Sequence, residues 1–280
     1  MSRASLRGAA CAMLACHAIA ASAQAPAPAE ARSAAARAGT LNGVWVIPGI
    51  GRNEDGTQRG SQGAGTAQQS SWSTEPLPFT AEGKKAFDAN KPLAGPRQVK
   101  SELSNDPRDK ANPAGLYRMI QASGNGRSFS IDQVGNRIIQ LFSYGRIWRV
   151  IYTDGRPAEE NAVGPFWYGN SVGKWEGDTL VVTTLDLDPR AWLDGWGTPI
   201  SQDGRVIERW KRVAPDRIEF AFTVEDPVYY SKPWSSRTVT FTAQKKGVEP
   251  IEMITAPADI EEYTDTLLLP ASKGTGAGTK

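Results

Sequence analysis

The side chains most able to do chemistry in this chain stand in segments that alternate like β-strands. In "VIERW" the acid Glu208 lies on the same face as Val206 and Trp210, because side chains alternate across a strand. An inward carboxylate either pairs with a cation or has its pKa raised by loss of water. Glu208 is therefore a candidate acid/base, and the alternative is a structural ion pair with Arg149 or Arg146.

The segment "RIWRVIY" supplies that cation on one of its two faces. Alternation separates two sets, Ile147, Arg149 and Ile151 against Trp148, Val150 and Tyr152. If the first set points inward, Arg149 is a buried cation that can hold an anionic group through two hydrogen bonds. If the second set points inward, Tyr152 is a proton donor inside the fold. The alternation alone favours neither face.

The segment "LDLDPRAWLDGWGTP" concentrates acids and aromatic residues after a strand. It predicts a loop at the mouth of a β-barrel, where exposed Trp192 and Trp196 would stack an aromatic or sugar ligand. The acids are turn residues or, alternatively, calcium ligands: Asp186, Asp188 and Asp194. A glycosidase-like pair of Asp186 with Glu208 would need a carboxyl separation of roughly 5–9 Å.

The predicted site combines these groups with the remaining aromatic residues. Its catalytic candidates are Glu208 as acid/base, Arg149 for orientation, Tyr152 or Tyr144 as proton donor, and Asp186 as a second carboxylate. Its candidates for substrate binding are Trp148, Trp167, Trp192, Trp196, Trp210 and Phe220. Neither a metal nor a cofactor is predicted, since the sequence lacks a D-x-[DN]-x-[DN]-G calcium loop.

A second pair of acids, Glu176 and Asp178, stands in "VGKWEGDTLVVTT" on either side of Gly177. Alternating apolar residues flank the pair, and glycine supplies the positive φ of a tight turn. We therefore predict the tip of a β-hairpin, with both carboxylates in water.

The first residues predict export. Arg3 and Arg7 precede a short apolar stretch, and Ala21-Ser22-Ala23 matches a signal-peptidase site. Cleavage after Ala23 gives a periplasmic or secreted protein that is not inserted in the membrane, because no other stretch is apolar for long enough to span it.

Cleavage also limits the available chemistry. Both cysteines and the single histidine, Cys11, Cys16 and His17, lie in the signal. Disulfides, thiolate nucleophiles and imidazole catalysis are then excluded. Loss of Arg3 and Arg7 lowers the formal net charge from +2 to zero, and no basic stripe suggests nucleic acid. The predicted partner is a small hydrophobic or aromatic molecule, and no pattern indicates an oligomeric state.

The remaining chain predicts one all-β domain. After a flexible leader (24–40), closely spaced turns divide residues 41–270 into strands, and 271–280 form a disordered tail. Such spacing leaves no room for crossover helices, so we expect an antiparallel meander of about 8–10 strands closing into a lipocalin-like barrel, or alternatively a β-sandwich. One short helix is expected at "TAEGKKAFDAN", with Thr80 as its N-cap. A long ordered loop is expected at 91–118, and a lid or a disordered loop at 48–73.

Several motifs in order resemble a large, mostly uncharacterised family of exported bacterial proteins. They are "TAEGKKAFDANKP", "NDPRDKANPAGLYR", "RVIYTDGR", "SVGKWEGDTLVVTT", "VIERWKRV" and "DPVYYSKPW", from about residue 80 to 234. The opening "LNGVW" is similar to the G-x-W start of lipocalin-like barrels. The resemblance implies export and a β-barrel, and it implies no activity. Relatives carry a histidine after "TDGR" and another before the "ERW" strand, where this chain has Pro157-Ala158 and Ser201-Gln202.

Two functions fit these features. One is a cofactor-independent lyase, isomerase, hydratase or hydrolase that encloses the small molecule in the barrel and uses carboxylate, Tyr and Arg groups. The other is a periplasmic carrier whose inward polar groups only orient the ligand. An inward Glu208 without an evident structural need favours the enzyme.

Overall fold

The computed structural model describes residues 41–47, 68–122, 128–158 and 164–250. The described strands are β1 (Gly43–Val46), β2 (Phe129–Val134), β3 (Arg137–Phe142), β4 (Ile147–Tyr152), β5 (Asn170–Glu176), β6 (Thr179–Leu185), β7 (Arg205–Ala214), β8 (Arg217–Glu225), β9 (Trp234–Ser235) and β10 (Val239–Ala243). The helices are α1 (Ala81–Ala89) and α2 (Leu116–Gln121), with 3₁₀ turns at Ser101–Leu103 and Pro107–Lys110. The predicted signal, leader and tail, and most of the 48–73 loop, lie outside the described residues.

The strands close into a barrel, which confirms the all-β prediction over the β-sandwich. Neighbouring strands follow chain order from β1 to β8, and β10 pairs with both β8 and β1. Nine strands therefore form the ring, while the two-residue β9 pairs with the far end of β8. The Glu176-Gly177-Asp178 hairpin is also confirmed, because Glu176 pairs with Thr179 and Gly177 has a φ of +63°.

One junction departs from the predicted antiparallel meander. Strands β4 and β5 are parallel, and they pair only at Ile151 with Ser171 and at Tyr152 with Val172. The connection from 153 to 169 places the first residues of β5 beside the last residues of β4, so that β5 runs in the same direction as β4 where a tight hairpin would have reversed it. Among the described residues, 147–150 pair with β3 alone. We call this weakly paired junction the seam.

The barrel interior is filled by side chains. The predicted inward set of β8 is confirmed, since Phe220 and Phe222 are buried together with Ile218 and Val224. The ring centroids of Trp210 and Phe220 are 4.2 Å apart, and those of Trp72 and Phe222 are 5.2 Å apart. Such dense aromatic packing is typical of a hydrophobic core. The described interior therefore holds its own aromatic residues where the sequence predicted an enclosed ligand.

Helix α1 packs against the loop after β8, and helix α2 extends Tyr117 to Glu208 of β7. The predicted N-cap of α1 is confirmed, because the Thr80 hydroxyl accepts a hydrogen bond from the N–H of Gly83 at 3.0 Å. The second helix was not predicted, since its six residues are too few to show a helical period and five of them are buried. Neither described helix has the length and apolar character needed to cross a membrane.

Gly83 lets α1 approach the loop after β8. A Cβ on this residue would stand 1.9 Å from the backbone oxygen of Tyr229. In an isolated helix Gly83→Ala would gain about 1 kcal/mol, but here we expect a loss of about 1–3 kcal/mol because the loop or the helix must move. Thermal unfolding measures the difference. Gly195→Ala is the matched control, because a Cβ there has no atom within 4 Å among those described, and equal melting temperatures for the two variants would contradict the close packing.

Candidate functional site

The two charged groups that the sequence singled out meet inside the barrel. Arg149 on β4 and Glu208 on β7 both point inward, so the first of the two possible faces of β4 is the buried one. Nη1 of Arg149 donates to Oε2 of Glu208 at 2.9 Å, and Nη2 donates to Oε1 at 2.6 Å. Glu208 is 0% exposed. The pair is therefore a bidentate, desolvated ion pair.

Every donor of Arg149 in this cluster is occupied. Its Nε donates to the Ser171 hydroxyl at 3.0 Å, and its remaining N–H groups reach Gln140 at 3.0 Å and Thr184 at 2.7 Å. A guanidinium has five N–H donors, and the two bonds to Glu208 complete the set. The cation is fully satisfied without any ligand.

The carboxylate is equally surrounded. Oε1 of Glu208 accepts from the Tyr117 hydroxyl at 2.8 Å and from the Thr184 hydroxyl at 3.1 Å, and Oε2 accepts from Nε1 of Trp210 at 2.9 Å. Burial first, and then the charge of Glu208, raises the pKa of Tyr117 well above its usual value, so this phenol stays a donor at neutral pH. We call these residues with Arg149 the ion-pair cluster. A closed network of this kind supports the structural alternative for Glu208.

The other candidates on β4 face away from the cluster. Tyr152 lies on the outer face, where the guanidinium of Arg156 stacks 3.8 Å from its ring centre, so of the two alternatives left open for β4, the one with Tyr152 as a donor inside the fold is wrong. Trp148 is also outside and is 64% exposed. Alternation makes both placements follow from the inward side chain of Arg149. Trp210 and Phe220 are in the interior, but they are buried in the core.

The loop after β6 is held by its acids. Asp194 is buried and accepts from the hydroxyls of Ser70 at 2.6 Å and Thr198 at 2.8 Å and from the N–H of Ser71 at 2.7 Å. Asp186 is buried as well, and its backbone oxygen accepts from the N–H of Phe166. In the described ranges, no group of three or more His, Cys, Asp or Glu side chains could hold a metal ion. These acids act as turn and anchoring residues.

The aromatic residues of the same region are less open than predicted. Trp192 is only 4% exposed, so its predicted place as an exposed stacking surface is wrong. Trp196 packs over Gly95, whose Cβ position is 2.4 Å from the indole. Trp167 lies under the guanidinium of Arg190 at 4.6 Å. Packing against Gly95 and Arg190, together with the burial of Trp192, is the reason for the difference.

The seam holds a cavity that was only partly predicted. It has a volume of about 270 Å³ and lies between the start of β4, Tyr168 just before β5, and the segment that leads into α2. We call it the tyrosine cleft and define it by Arg108, Asn112, Met119, Tyr144, Ile147 and Tyr168. Of these, only Tyr144 was a candidate. The aromatic run "FWYG" was the signal for Tyr168, but the parallel junction that brings it to Tyr144 has no local signal.

Tyr168 gives the cleft its unusual polar group. Its hydroxyl is buried and has no hydrogen-bond partner among the described residues. Burial, followed by the neighbouring Tyr144, raises the pKa of Tyr168 above its usual value, so the group remains an O–H donor. A buried hydroxyl without a partner costs about 1–3 kcal/mol. A ligand that accepts this hydrogen bond would recover part of that cost.

A larger and more charged cavity, of about 520 Å³, opens near the start of β7. Its lining includes Asp203, Arg205, Glu225 and Lys232, and Arg205 is paired with Glu225 at 3.0 Å. Acids and bases alternate here, which suits an apolar ligand less well than the tyrosine cleft does.

Comparisons place no known protein beside this chain: no family model, curated protein or solved structure matches it. The fold and the geometry of the two sites therefore carry the functional argument.

The ion-pair cluster predicts that Glu208→Gln is a stability variant. Removal of one charge leaves Arg149 buried without a counter-ion, which costs about 3–5 kcal/mol, and denaturant unfolding measures it. An Arg149→Met/Glu208→Leu double variant should be more stable than Glu208→Gln, since no charge is left unpaired. A fully stable Glu208→Gln protein would contradict the structural role and restore Glu208 as a catalytic candidate.

Proposed function

We propose that this protein binds a small hydrophobic or aromatic molecule in the tyrosine cleft and acts as a carrier. The observation that carries the proposal is an apolar cavity at the seam with a buried phenol hydroxyl, Tyr168, that has no described partner. Ligand sites are mostly apolar clefts with a few convergent polar groups. Met119 and Ile147 contribute apolar side chains to the lining, and Tyr144 and Tyr168 contribute phenol side chains.

The volume limits the ligand to a small one. Drug-sized molecules occupy pockets of about 300–1,000 Å³, and the cleft has about 270 Å³. At about 30 Å³ for each water molecule in the liquid, this space corresponds to roughly nine waters. A molecule with one aromatic ring and a short substituent fits that space.

The carrier is favoured over the enzyme by the state of the acid/base groups. The described residues that line the cleft include no carboxylate and no imidazole. Glu208, the candidate acid/base, accepts hydrogen bonds on both of its oxygens and is closed to solvent. General acid–base catalysis needs a group within hydrogen-bond reach of the substrate. Binding requires only the apolar surface and the phenol groups, which the cleft offers.

Export is part of the same proposal. The predicted signal peptide would deliver the protein to the periplasm or the exterior, where apolar small molecules need protection from water. The seam suits entry and exit, because few ladder hydrogen bonds join β4 to β5.

Binding of neutral single-ring probes tests the proposal. Using 4-methylphenol and cinnamyl alcohol, calorimetry or ligand-observed NMR should give a Kd of about 1 mM to 40 µM, as expected for ligands of this size. Asn112→Trp, at the lip of the cleft, should weaken binding more than tenfold by filling it. Tyr168→Phe should weaken it about 2- to 10-fold by removing one hydrogen bond.

Matched controls separate the cleft from the rest of the surface. Lys110→Trp adds the same ring to an exposed residue near the cleft, and Tyr152→Phe removes a hydroxyl from the outer face of β4. Both should bind like the native protein. Binding that persists unchanged in Asn112→Trp would place the ligand elsewhere. Turnover of a bound probe by the native protein, lost in Glu208→Gln at equal binding, would instead favour the enzyme.

A further inference from the structure

We infer that the ligand of the tyrosine cleft is an aromatic or hydrophobic carboxylate whose acid group is held by Arg108 at the mouth of the cleft. This inference rests on the proposed function, and it adds the chemical class of the ligand. Its basis is a guanidinium that borders the cleft and that makes no hydrogen bond or ion pair to an acid in the part of the chain that the structure describes.

The backbone of Arg108 is fixed by a buried ion pair. Asp106 accepts two hydrogen bonds from Arg118 on α2, both at 2.7 Å, and the pair is buried. The same carboxylate accepts from the backbone N–H of Arg108 at 3.0 Å. The residue is therefore anchored to the helix that forms one side of the cleft, and only its side chain extends into solvent.

The guanidinium of Arg108 keeps its donors available. It lies 5.5 Å from the centre of the Tyr144 ring, and in the described ranges its side chain makes no hydrogen bond or ion pair. The acids beside it form their hydrogen bonds with other groups, because Asp106 binds Arg118 and Asp109 accepts from the Ser104 hydroxyl at 2.9 Å, although the charge of Asp109 still interacts with that of Arg108. Five N–H donors are thus presented next to an apolar cavity.

The tripeptide Asp-Pro-Arg that contains Arg108 occurs a second time in the chain and shows which contact Arg108 lacks. Asp188-Pro-Arg190 also bonds its arginine N–H to its own aspartate, at 2.9 Å. There the guanidinium folds back onto Asp188 at 2.6 Å and lies over the ring of Trp167. In Asp106-Pro-Arg108 the aspartate is taken by Arg118. Arg108 therefore keeps the aromatic contact and is left without the carboxylate.

An arylcarboxylate supplies the missing partner. A guanidinium binds a carboxylate through two parallel hydrogen bonds, and the acid of a single-ring compound lies close to its ring. With its carboxylate on Arg108, such a ring can enter the cleft between Tyr144 and Ile147. The described lining contains no acid that would repel the anion, and Arg108 is the charged residue within it.

Pairs of probes that differ only in charge test the inference. Benzoate and cinnamate should bind roughly 10- to 100-fold more tightly than benzamide and cinnamamide, as expected for charge-assisted hydrogen bonds. Arg108→Gln should abolish that preference and leave amide binding unchanged. Arg108→Lys keeps the positive charge but loses the bidentate geometry of the guanidinium, so it should retain part of the preference for acids over amides. Arg190→Gln, in the matching tripeptide, should change the affinity of neither the acids nor the amides. Added salt should weaken the binding of the acids and leave that of the amides unchanged.

Each outcome has a distinct meaning. If acids and amides bind equally to the native protein and to Arg108→Gln, the carboxylate inference is wrong while the proposed cleft stands. If Arg108→Gln weakens both classes equally, the side chain packs on the ring and the inference is also wrong. If neither class binds, and the neutral probes do not bind either, the proposed function itself fails. Melting temperatures measured alongside exclude unfolding, since Arg108 is exposed.

Discussion

The buried pair of Arg149 and Glu208 is the interaction on which the rest of this barrel depends. Taking two charges out of water costs several kcal/mol for each ion, and only excellent geometry with added hydrogen bonds offsets that cost. Here every consecutive strand from β3 to β7 contributes a group to the cluster, and α2 adds one more: Gln140, Arg149, Ser171, Thr184, Glu208 and Trp210 with Tyr117. A shift of any of these strands by one residue would turn its group to the outer face. The cluster therefore selects the register of half of the barrel.

The same cluster compensates for the seam. Strands β4 and β5 share only two residue pairs, so their backbones hold each other weakly. The bond from Arg149 to Ser171 joins the two strands inside the barrel, and the cation continues across to β7. Side-chain bonds thus hold a junction where ladder bonds are few, and the half of β4 that pairs with β3 alone borders a cavity at Ile147. The cavity proposed as the ligand site thus lies at the place where two strands of the ring share only two residue pairs.

Sequence patterns were sufficient for what depends on neighbouring residues. The faces of β8, the tip at Gly177 and the cap at Thr80 follow from alternation, turn chemistry and capping, each of which acts over a few residues. The pairing of Glu208 with Arg149 was reachable as one of two alternatives, because an inward acid needs a cation. The parallel junction and the buried helix α2 could not be predicted, since neither a long connection nor a helix of six residues shows a periodic pattern. Without them, Tyr168 could not be placed beside Tyr144.

The two Asp-Pro-Arg tripeptides show why the chemistry of a site is harder to derive than its fold. Both form the same local turn, with the arginine N–H bonded to the aspartate side chain. Whether the arginine of the turn also forms an ion pair with the aspartate depends on a second arginine outside the tripeptide. Arg118 binds Asp106 and excludes Arg108, whereas in the described ranges no other arginine binds Asp188, which therefore pairs with Arg190. A buried aspartate prefers the arginine that is also buried, because that pair is least screened by water. The exposed Arg108 is left without a hydrogen bond to Asp106 as a consequence, and the inferred carboxylate site depends on this competition between two arginines for one aspartate.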